Sequence, residues 1–447
     1  MALIGWGRRC PFTVKGAEVA GSPSGMLVKL WFKEFLTGTT TSTTSNKLVD
    51  SGGDFVNDGV KINMYVVNTT DDTHAKITAV TATELTLDTD IFTSGEDYSV
   101  IKGNVPLEMM DADGSYPALS DGGDIRVSSD IDGDNLLDLH IRSIVVSNDP
   151  SDSVLEAAFS INTTGSDQTV YLWYNKAGES QPAPSAAGGY EGVYDICFAG
   201  CPLDETSSPF EDWSANGADA TANGSLPTRV NGEVTRYEQD FDGNDWANWD
   251  SNELTTVAED VVVFSCWVTP RGVDAYMPVL GSVGDGSDGD FSFWIDSEFD
   301  EIGMTIIGNE IDEAIETQVW SLGTQYHIAF RYRADQDLVE FYVNGSSVGT
   351  VNFDVSFALR LQEAVRLGRD NFSDYFDGEI DEVLLIDATK GDSWMTTYYN
   401  SWATPEDFID VGTPVSPAGP GNLLIHPGTT GLNGRHFNSE LNGGLNA

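Results

Sequence analysis

The dipeptide Asn344-Gly345 sits between two strand-like runs, Val339 to Val343 and Ser347 to Val351, and few features constrain a fold more tightly. Asn and Gly are the residues that most readily accept positive φ, which a two-residue turn between right-twisted strands requires. The pattern predicts a β-hairpin, and with it an antiparallel sheet. Upstream, Phe264-Ser265-Cys266-Trp267-Val268 and Phe291-Ser292-Phe293-Trp294-Ile295 carry the aromatic and β-branched residues of strands, and Tyr326-His327-Ile328-Ala329-Phe330-Arg331-Tyr332 alternates in the same way. Together they predict a β-sandwich over residues 195–411.

Length and charge bound the rest. A chain of 447 residues exceeds one ordinary core, so two or three domains are expected. Acidic residues number 71 against 22 basic ones, a net charge of −49 that repels nucleic-acid phosphate and anionic lipid. Nucleic acid is therefore excluded as a partner, and a saline setting suits the composition. No apolar run is long enough to span a bilayer. Cys10, Cys197, Cys201 and Cys266 are too few and too scattered for a disulfide framework, although Cys197 and Cys201 could close a small loop. Met1 to Cys10 has neither the basic region nor the apolar core of an export signal. An extracellular style without a visible export signal predicts a protein made in a host cytoplasm and released within a virus particle.

Seven segments bear on family. Phe341-Tyr342-Val343-Asn344-Gly345, Val365-Arg366-Leu367-Gly368 and Gly378-Glu379-Ile380-Asp381-Glu382-Val383-Leu384-Leu385-Ile386 resemble the C-terminal half of laminin-G-like, concanavalin A-type sandwiches. The resemblance implies a jelly-roll module that binds or packs. Nearer the start, Gly5-Trp6-Gly7-Arg8-Arg9-Cys10-Pro11-Phe12-Thr13-Val14, Met26-Leu27-Val28-Lys29-Leu30, Gly122-Gly123-Asp124-Ile125-Arg126-Val127 and Val170-Tyr171-Leu172-Trp173-Tyr174-Asn175 are similar to an uncharacterised β-domain family found before such sandwiches in microbial surface proteins and viral structural proteins. The expected architecture is all-β and multidomain, with a discontinuous N-terminal β-sandwich over 1–38 and 103–194 and the laminin-G-like sandwich over 195–411.

Between the two halves of the first domain, residues 39–102 open on the low-complexity run Thr39 to Ser45 and carry strand-like stretches of their own at Val66-Val67, Ala75 to Val80 and Glu84 to Leu87. From Leu48-Val49-Asp50-Ser51 to Tyr98-Ser99-Val100 this insertion resembles a small β-module of phage and marine-virus structural proteins. Residues 412–447 change character, with eight glycines, four prolines, one arginine and one glutamate. Such a segment builds no core. Its apolar points, Leu424, Ile425, Leu432, Phe437 and Leu441 among them, suit an extended arm docked on a neighbouring subunit, or a tail folded back on its own chain.

Catalysis finds little footing. Sandwich glycosidases of this type place paired carboxylates on one strand as Glu-x-Asp-x-x-Glu. Here Glu298-Phe299-Asp300 is followed by Gly303 and Glu379-Ile380-Asp381 by Leu384, where the second Glu belongs. None of the five histidines falls in a recognised Ser-His-Asp or Cys-His motif, and His327 reads as a hydrogen-bonded core residue. The expectation is a non-enzymatic protein.

Two ligand classes stay open. The resemblance implies a structural calcium on Asp381, and Asp242 in Phe241-Asp242-Gly243-Asn244-Asp245 occupies a motif that such domains use; hard carboxylate oxygens suit that ion, although a strand Asp also simply faces solvent. Asp130-Ile131-Asp132-Gly133-Asp134 alternates like a calcium loop but places Gly fourth where an EF-hand needs it sixth, and Asp285 to Asp290 is an acidic turn or a weak site. For sugars, aromatic faces with polar neighbours serve as platforms. Trp246, Trp249 and Tyr375 are the candidates, against the alternative that they seal a core or an interface. The combined reading is a virion structural protein of a phage, as capsid decoration, spike, fibre or tail component, partnered by other virion proteins and copies of itself, with possible host-surface glycan contact. The alternative is a secreted bacterial carbohydrate-binding adhesin.

Overall fold

The computed structural model describes residues 3, 5–224, 226–232, 234–250, 254, 261–272, 276–282, 288–307, 311–353, 358–371, 373–386 and 390–417. Among them the architecture is all-β, with strands in four sheets and a single helix longer than one turn, Asp392–Ala403.

The first body pairs a five-stranded sheet, in the order Leu136–Leu137, Arg126–Ser128, Gln168–Tyr174, Arg8–Val14 and Ile409–Val411, with a nine-stranded one. The long strand Met26–Thr39 organises the larger sheet, with Val154–Ile161 on one side and Asp97–Gly103 on the other. The inserted strands Tyr65–Asn68, Thr73–Val80 and Glu84–Leu87 continue that sheet outward. They still close a core of their own, in which Leu48, Phe55, Met64, Ile77, Leu85 and Tyr98 are buried.

The second body is a two-sheet sandwich. Its first sheet runs Thr228–Asn231, Tyr237–Asp242, Asp377–Ile386, Val261–Pro270, Tyr326–Arg333, Leu338–Val343, Ser346–Asn352, with Cys197–Cys201 also pairing Asp377–Ile386. Its second runs Thr221–Gly224, Asp245–Trp249, Val365–Leu367, Met277–Ser282, Phe291–Asp296, Glu301–Ile307, Ile311–Thr317. Alternate residues of both sheets, including Phe241, Trp249, Phe264, Phe293, Phe330, Phe341 and Leu367, fill the space between them. The hairpin predicted at Asn344-Gly345 is present, with φ of 49° and 72° at the two turn residues and Val343 paired to Ser346.

The two bodies share one core. Val263, Trp267, Ala329, Tyr342, Leu384 and Ile386, on the outer face of the sandwich's first sheet, pack with Trp394, Met395, Tyr398 and Trp402 of the helix and with Met26, Leu30 and Phe159 of the first body. That sheet is therefore covered on both faces. Beyond the helix the chain returns to the first body, where Ile409–Val411 pairs Arg8–Val14 and Val415 bridges to Arg9. The opening of the Gly-rich segment thus lies along the chain's own first strand. Leu424, Ile425, Leu432, Phe437 and Leu441, proposed from sequence as an assembly arm, lie outside the described residues.

Candidate functional site

Strand periodicity places the candidate aromatics. In Asp245–Trp249, Ala247 and Trp249 point between the sheets, so Trp246, an odd number of positions from each, points outward. Trp249 is fully buried and its indole N–H donates to the Ala218 carbonyl at 2.8 Å. It is a core residue and is withdrawn from the platform, because residues three apart on a strand cannot share a face. Trp246 stays partly exposed, as does Tyr375, and their ring centroids stand 5.9 Å apart.

What holds these rings together was not evident in the sequence. Val365–Leu367 pairs Asp245–Trp249 with Arg366 opposite Asn248, so both side chains share the outward face with Trp246. The chain then turns at Gly368, φ +77°, where a Cβ would fall 2.7 Å from the Phe241 ring. Arg369 bridges to Tyr375, and the Asp370 carboxylate closes the loop by accepting the Asp374 N–H at 3.0 Å. The Arg369 guanidinium thereby lies 4.4 Å from the Trp246 ring centroid and 4.8 Å from that of Tyr375. Arg366 donates to the Asp370 carbonyl at 3.1 Å, and its pKa is lowered first by partial burial and then by the charge of Arg369.

The far end of the same face is closed. Tyr276 lies over Trp294, with centroids 4.4 Å apart, and their polar atoms go to Glu313 at 2.9 Å and Thr305 at 3.1 Å. Trp294 is 1% exposed, so that aromatic pair seals the sheet and offers no platform.

The calcium candidates fare differently. Asp381 is fully buried beneath the first body; its carboxylate accepts the Thr235 hydroxyl and the Glu382 N–H, the latter at 2.9 Å. Burial, then the neighbouring Glu382, raises its pKa well above the ordinary carboxylate range. Asp242 is exposed at the corner between the sheets. Because Gln239 pairs Ile380 and Asp242 pairs Asp377, the two aspartates stand about four residues apart along the strands, roughly 13 Å, too far to share an ion. Among the described residues no group of three or more His, Cys, Asp or Glu could hold a metal. Asp130 spends its carboxylate on the N–H groups of Asp132, Asp134 and Asn135, as a hairpin turn does. Residues 285–287 of the Asp285 loop lie outside the described residues, and Asp290 pairs with Arg360 at 3.1 Å.

Beside Asp381 lies a buried cluster that joins the bodies. Glu382, at φ 49° in a bulge of Asp377–Ile386, contacts Arg142 of the first body; Arg142 also stands 3.0 Å from Glu156 and 4.0 Å from Asp204. Arg142 and Glu382 have no exposed side-chain surface, and Glu156 only 2%. Burial, outweighing Arg142, pushes Glu382 up to about 7, and burial draws Lys29 down to about 7. His327 is likewise enclosed, hydrogen-bonded through Nε2 to Ser265 Oγ at 2.7 Å and depressed by burial to about 3. Cys197 and Cys201 are free, buried thiols. The Ser265–His327 pair and the Glu379–Asp381 pair therefore offer no surface at which a substrate could meet both partners.

Comparison with known proteins agrees with the sandwich fold. Residues 241–393, about a third of the chain, match the model of the concanavalin A-like lectin/glucanases superfamily. That stretch is a laminin-G- or concanavalin A-like sandwich. A search of curated proteins finds no match. Among solved structures, domain 4 of an extracellular arabinanase from Geobacillus stearothermophilus, in complex with arabinotriose, is 16% identical over 45% of this chain and 98% of its own, with a TM-score of 0.38. The CBM40 of the Ruminococcus gnavus IT-sialidase, bound to alpha2,3 sialyllactose, is 12% identical over 37% of this chain and 98% of its own, with a TM-score of 0.30. The binding domain of botulinum neurotoxin DC, in complex with rat synaptotagmin II, is 11% identical over 47% of this chain and 52% of its own, with a TM-score of 0.38. At these scores none of the three bears on ligand or partner here.

Proposed function

We propose that this chain is a non-enzymatic carbohydrate-binding protein that engages glycan through the outer face of its second sandwich sheet, as an adhesin at an extracellular surface would. One observation carries the reading: Trp246 and Tyr375, both partly exposed, flank the Arg369 guanidinium on a face where Arg366 adds a second polar group. Rings of this kind bury the apolar face of a sugar while neighbouring donors fix its hydroxyls. The match to a lectin-type superfamily supports the same reading. It favours the adhesin over a phage virion component, which rests on sequence resemblances of residues 1–194, on the absence of a visible export signal and on the reading of residues 412–447 as an assembly arm.

A glycan panel probed with the full chain tests the proposal. At least one oligosaccharide class should bind, and Trp246→Ala should weaken it tenfold or more without lowering the unfolding midpoint. Binding that survives Trp246→Ala and Tyr375→Ala unchanged would sink this assignment.

A further inference from the structure

The platform carries two arginines in a strongly acidic protein, and among the described residues neither forms an ion pair. Carboxylates elsewhere take up Arg8, Arg142, Arg271, Arg331 and Arg360, while Arg9, Arg126, Arg229 and Arg236 stand singly on backbone carbonyls or a hydroxyl; Arg366 and Arg369 differ in lying beside one another. Arg366 has one backbone carbonyl, from Asp370, and Arg369 has the Ser373 hydroxyl at 3.3 Å. The nearby Asp370 carboxylate is turned to the Asp374 N–H. Arg369 Nε is buried without a hydrogen-bond partner. Among the described residues, no carboxylate stands within ion-pair distance of either guanidinium.

Two cations facing one another across a few side chains repel, and the charge of Arg369 does disfavour that of Arg366. In a chain with 71 acidic residues, placing a carboxylate there would be simple. The arrangement makes physical sense when an anion from outside supplies the missing charge. A planar guanidinium presents parallel N–H donors that fit carboxylate or sulfate oxygens, and stacking on Trp246 and Tyr375 fixes the plane of Arg369 beforehand, which reduces the ordering lost on binding.

Resting on the proposed glycan-binding reading, we infer that the ligand is an anionic sugar, whose carboxylate or sulfate ester is held by Arg366 and Arg369 while its ring lies against Trp246 and Tyr375. The overall charge of the protein works against capture of a long polyanion, because repulsion acts over a Debye length of about 8 Å at physiological salt. A single acidic residue within or at the end of a mostly neutral glycan fits the local cations without meeting the bulk of that field.

Calorimetric titration of the full chain with matched oligosaccharides decides the matter: one neutral, one in which a single hexose is replaced by its uronate, and one bearing a single sulfate ester. The acidic members should bind at least tenfold more tightly than the neutral one. Arg366→Gln should erase that preference, bringing the acidic ligands down to the affinity of the neutral one, Arg369→Lys should reduce it with the charge retained, and Trp246→Ala should weaken all three ligands. Preference for uronate alone or sulfate alone supports the inference and assigns the anion. Equal affinity for neutral and acidic members, lost in Trp246→Ala, would overturn the anionic assignment and leave glycan binding standing. No binding of any member across a wider panel would overturn both.

Discussion

Replacing Arg142 with Met tests whether the buried cluster fastens the two bodies. Arg142 faces Glu156 at 3.0 Å and touches Glu382, and none of the three has more than 2% of its side chain exposed. At an effective dielectric of about 20, one pair at 3 Å is worth roughly 5 kcal/mol of attraction, offset by several kcal/mol of desolvation per ion. Removing one partner leaves the carboxylates buried and unpaired, and such losses run to about 3–5 kcal/mol. The deficit should depend on pH with a fixed sign. Glu382 ionises near 4.5 when unfolded and near 7 when folded, so the folded state holds an extra proton between those values and its contribution falls as pH rises through about 7. Without the guanidinium that proton is held more tightly still. Arg142→Met should therefore lose little near pH 5 and most of the expected amount near pH 8. Urea unfolding followed by tryptophan fluorescence reads this directly, and Arg142→Met combined with Glu382→Gln should fall short of additivity by more than about 1 kcal/mol. A deficit below about 1 kcal/mol, equal at both pH values, would refute the junction argument.

Three further outcomes follow from the same structure. Trp249→Ala removes a fully buried side chain and should cost about 3–5 kcal/mol, whereas Trp246→Ala should leave stability within about 0.5 kcal/mol; equal losses in denaturant would mean both rings are core. Gly345→Ala forces a Cβ to 2.7 Å from Tyr399 Cβ at φ +72°, and should lower the thermal midpoint through backbone strain of about 1–2 kcal/mol plus overlap with the helix. Asp381→Asn removes a carboxyl whose folded pKa lies well above 3.8, so the loss of stability as pH rises above that value should be shallower in the variant; calcium and chelator should leave both proteins' midpoints alike, and a calcium-dependent rise confined to the parent would restore the metal assignment.

Much of the fold was legible because local chemistry and tertiary structure agree in it. Asn344-Gly345 demanded positive φ, and the turn has it. Val66-Val67, Ala75 to Val80 and Glu84 to Leu87 fall within the strands Tyr65–Asn68, Thr73–Val80 and Glu84–Leu87. Grouping Trp246 with Trp249 ignored a period that was present in the sequence, since residues three apart on a strand diverge. Arg366 was legible in the same sense, as the polar centre of Val365-Arg366-Leu367. Arg369 was not: its place between two rings depends on the register of Tyr375 and on a loop closed by Asp370. The burial of Asp381 and Glu382 was hidden for a different reason. A strand carboxylate reads as exposed or metal-bound when the sheet has one open face, and nothing local in Gly378 to Ile386 announces that a second body covers it.

That covering governs where function can reside. With the helix Asp392–Ala403 and the first body packed on one sheet, the outer face of the other sheet is, among the described residues, the sandwich face left open to a ligand, and Tyr276 and Trp294 close one end of it. The Trp246 platform and the Arg142 cluster thus lie on opposite outer faces, separated by the whole sandwich, whose two sheets alone are about 10 Å apart. Sites that far apart without shared partners contribute independently, within about 0.3–0.5 kcal/mol. Arg142→Met, assayed where it remains folded, should bind any ligand of the platform with unchanged affinity, although its unfolding midpoint has dropped. An affinity that falls in step with stability would mean that the junction transmits through the sandwich core to Arg366 and Trp246, and that the first body helps to shape the binding face.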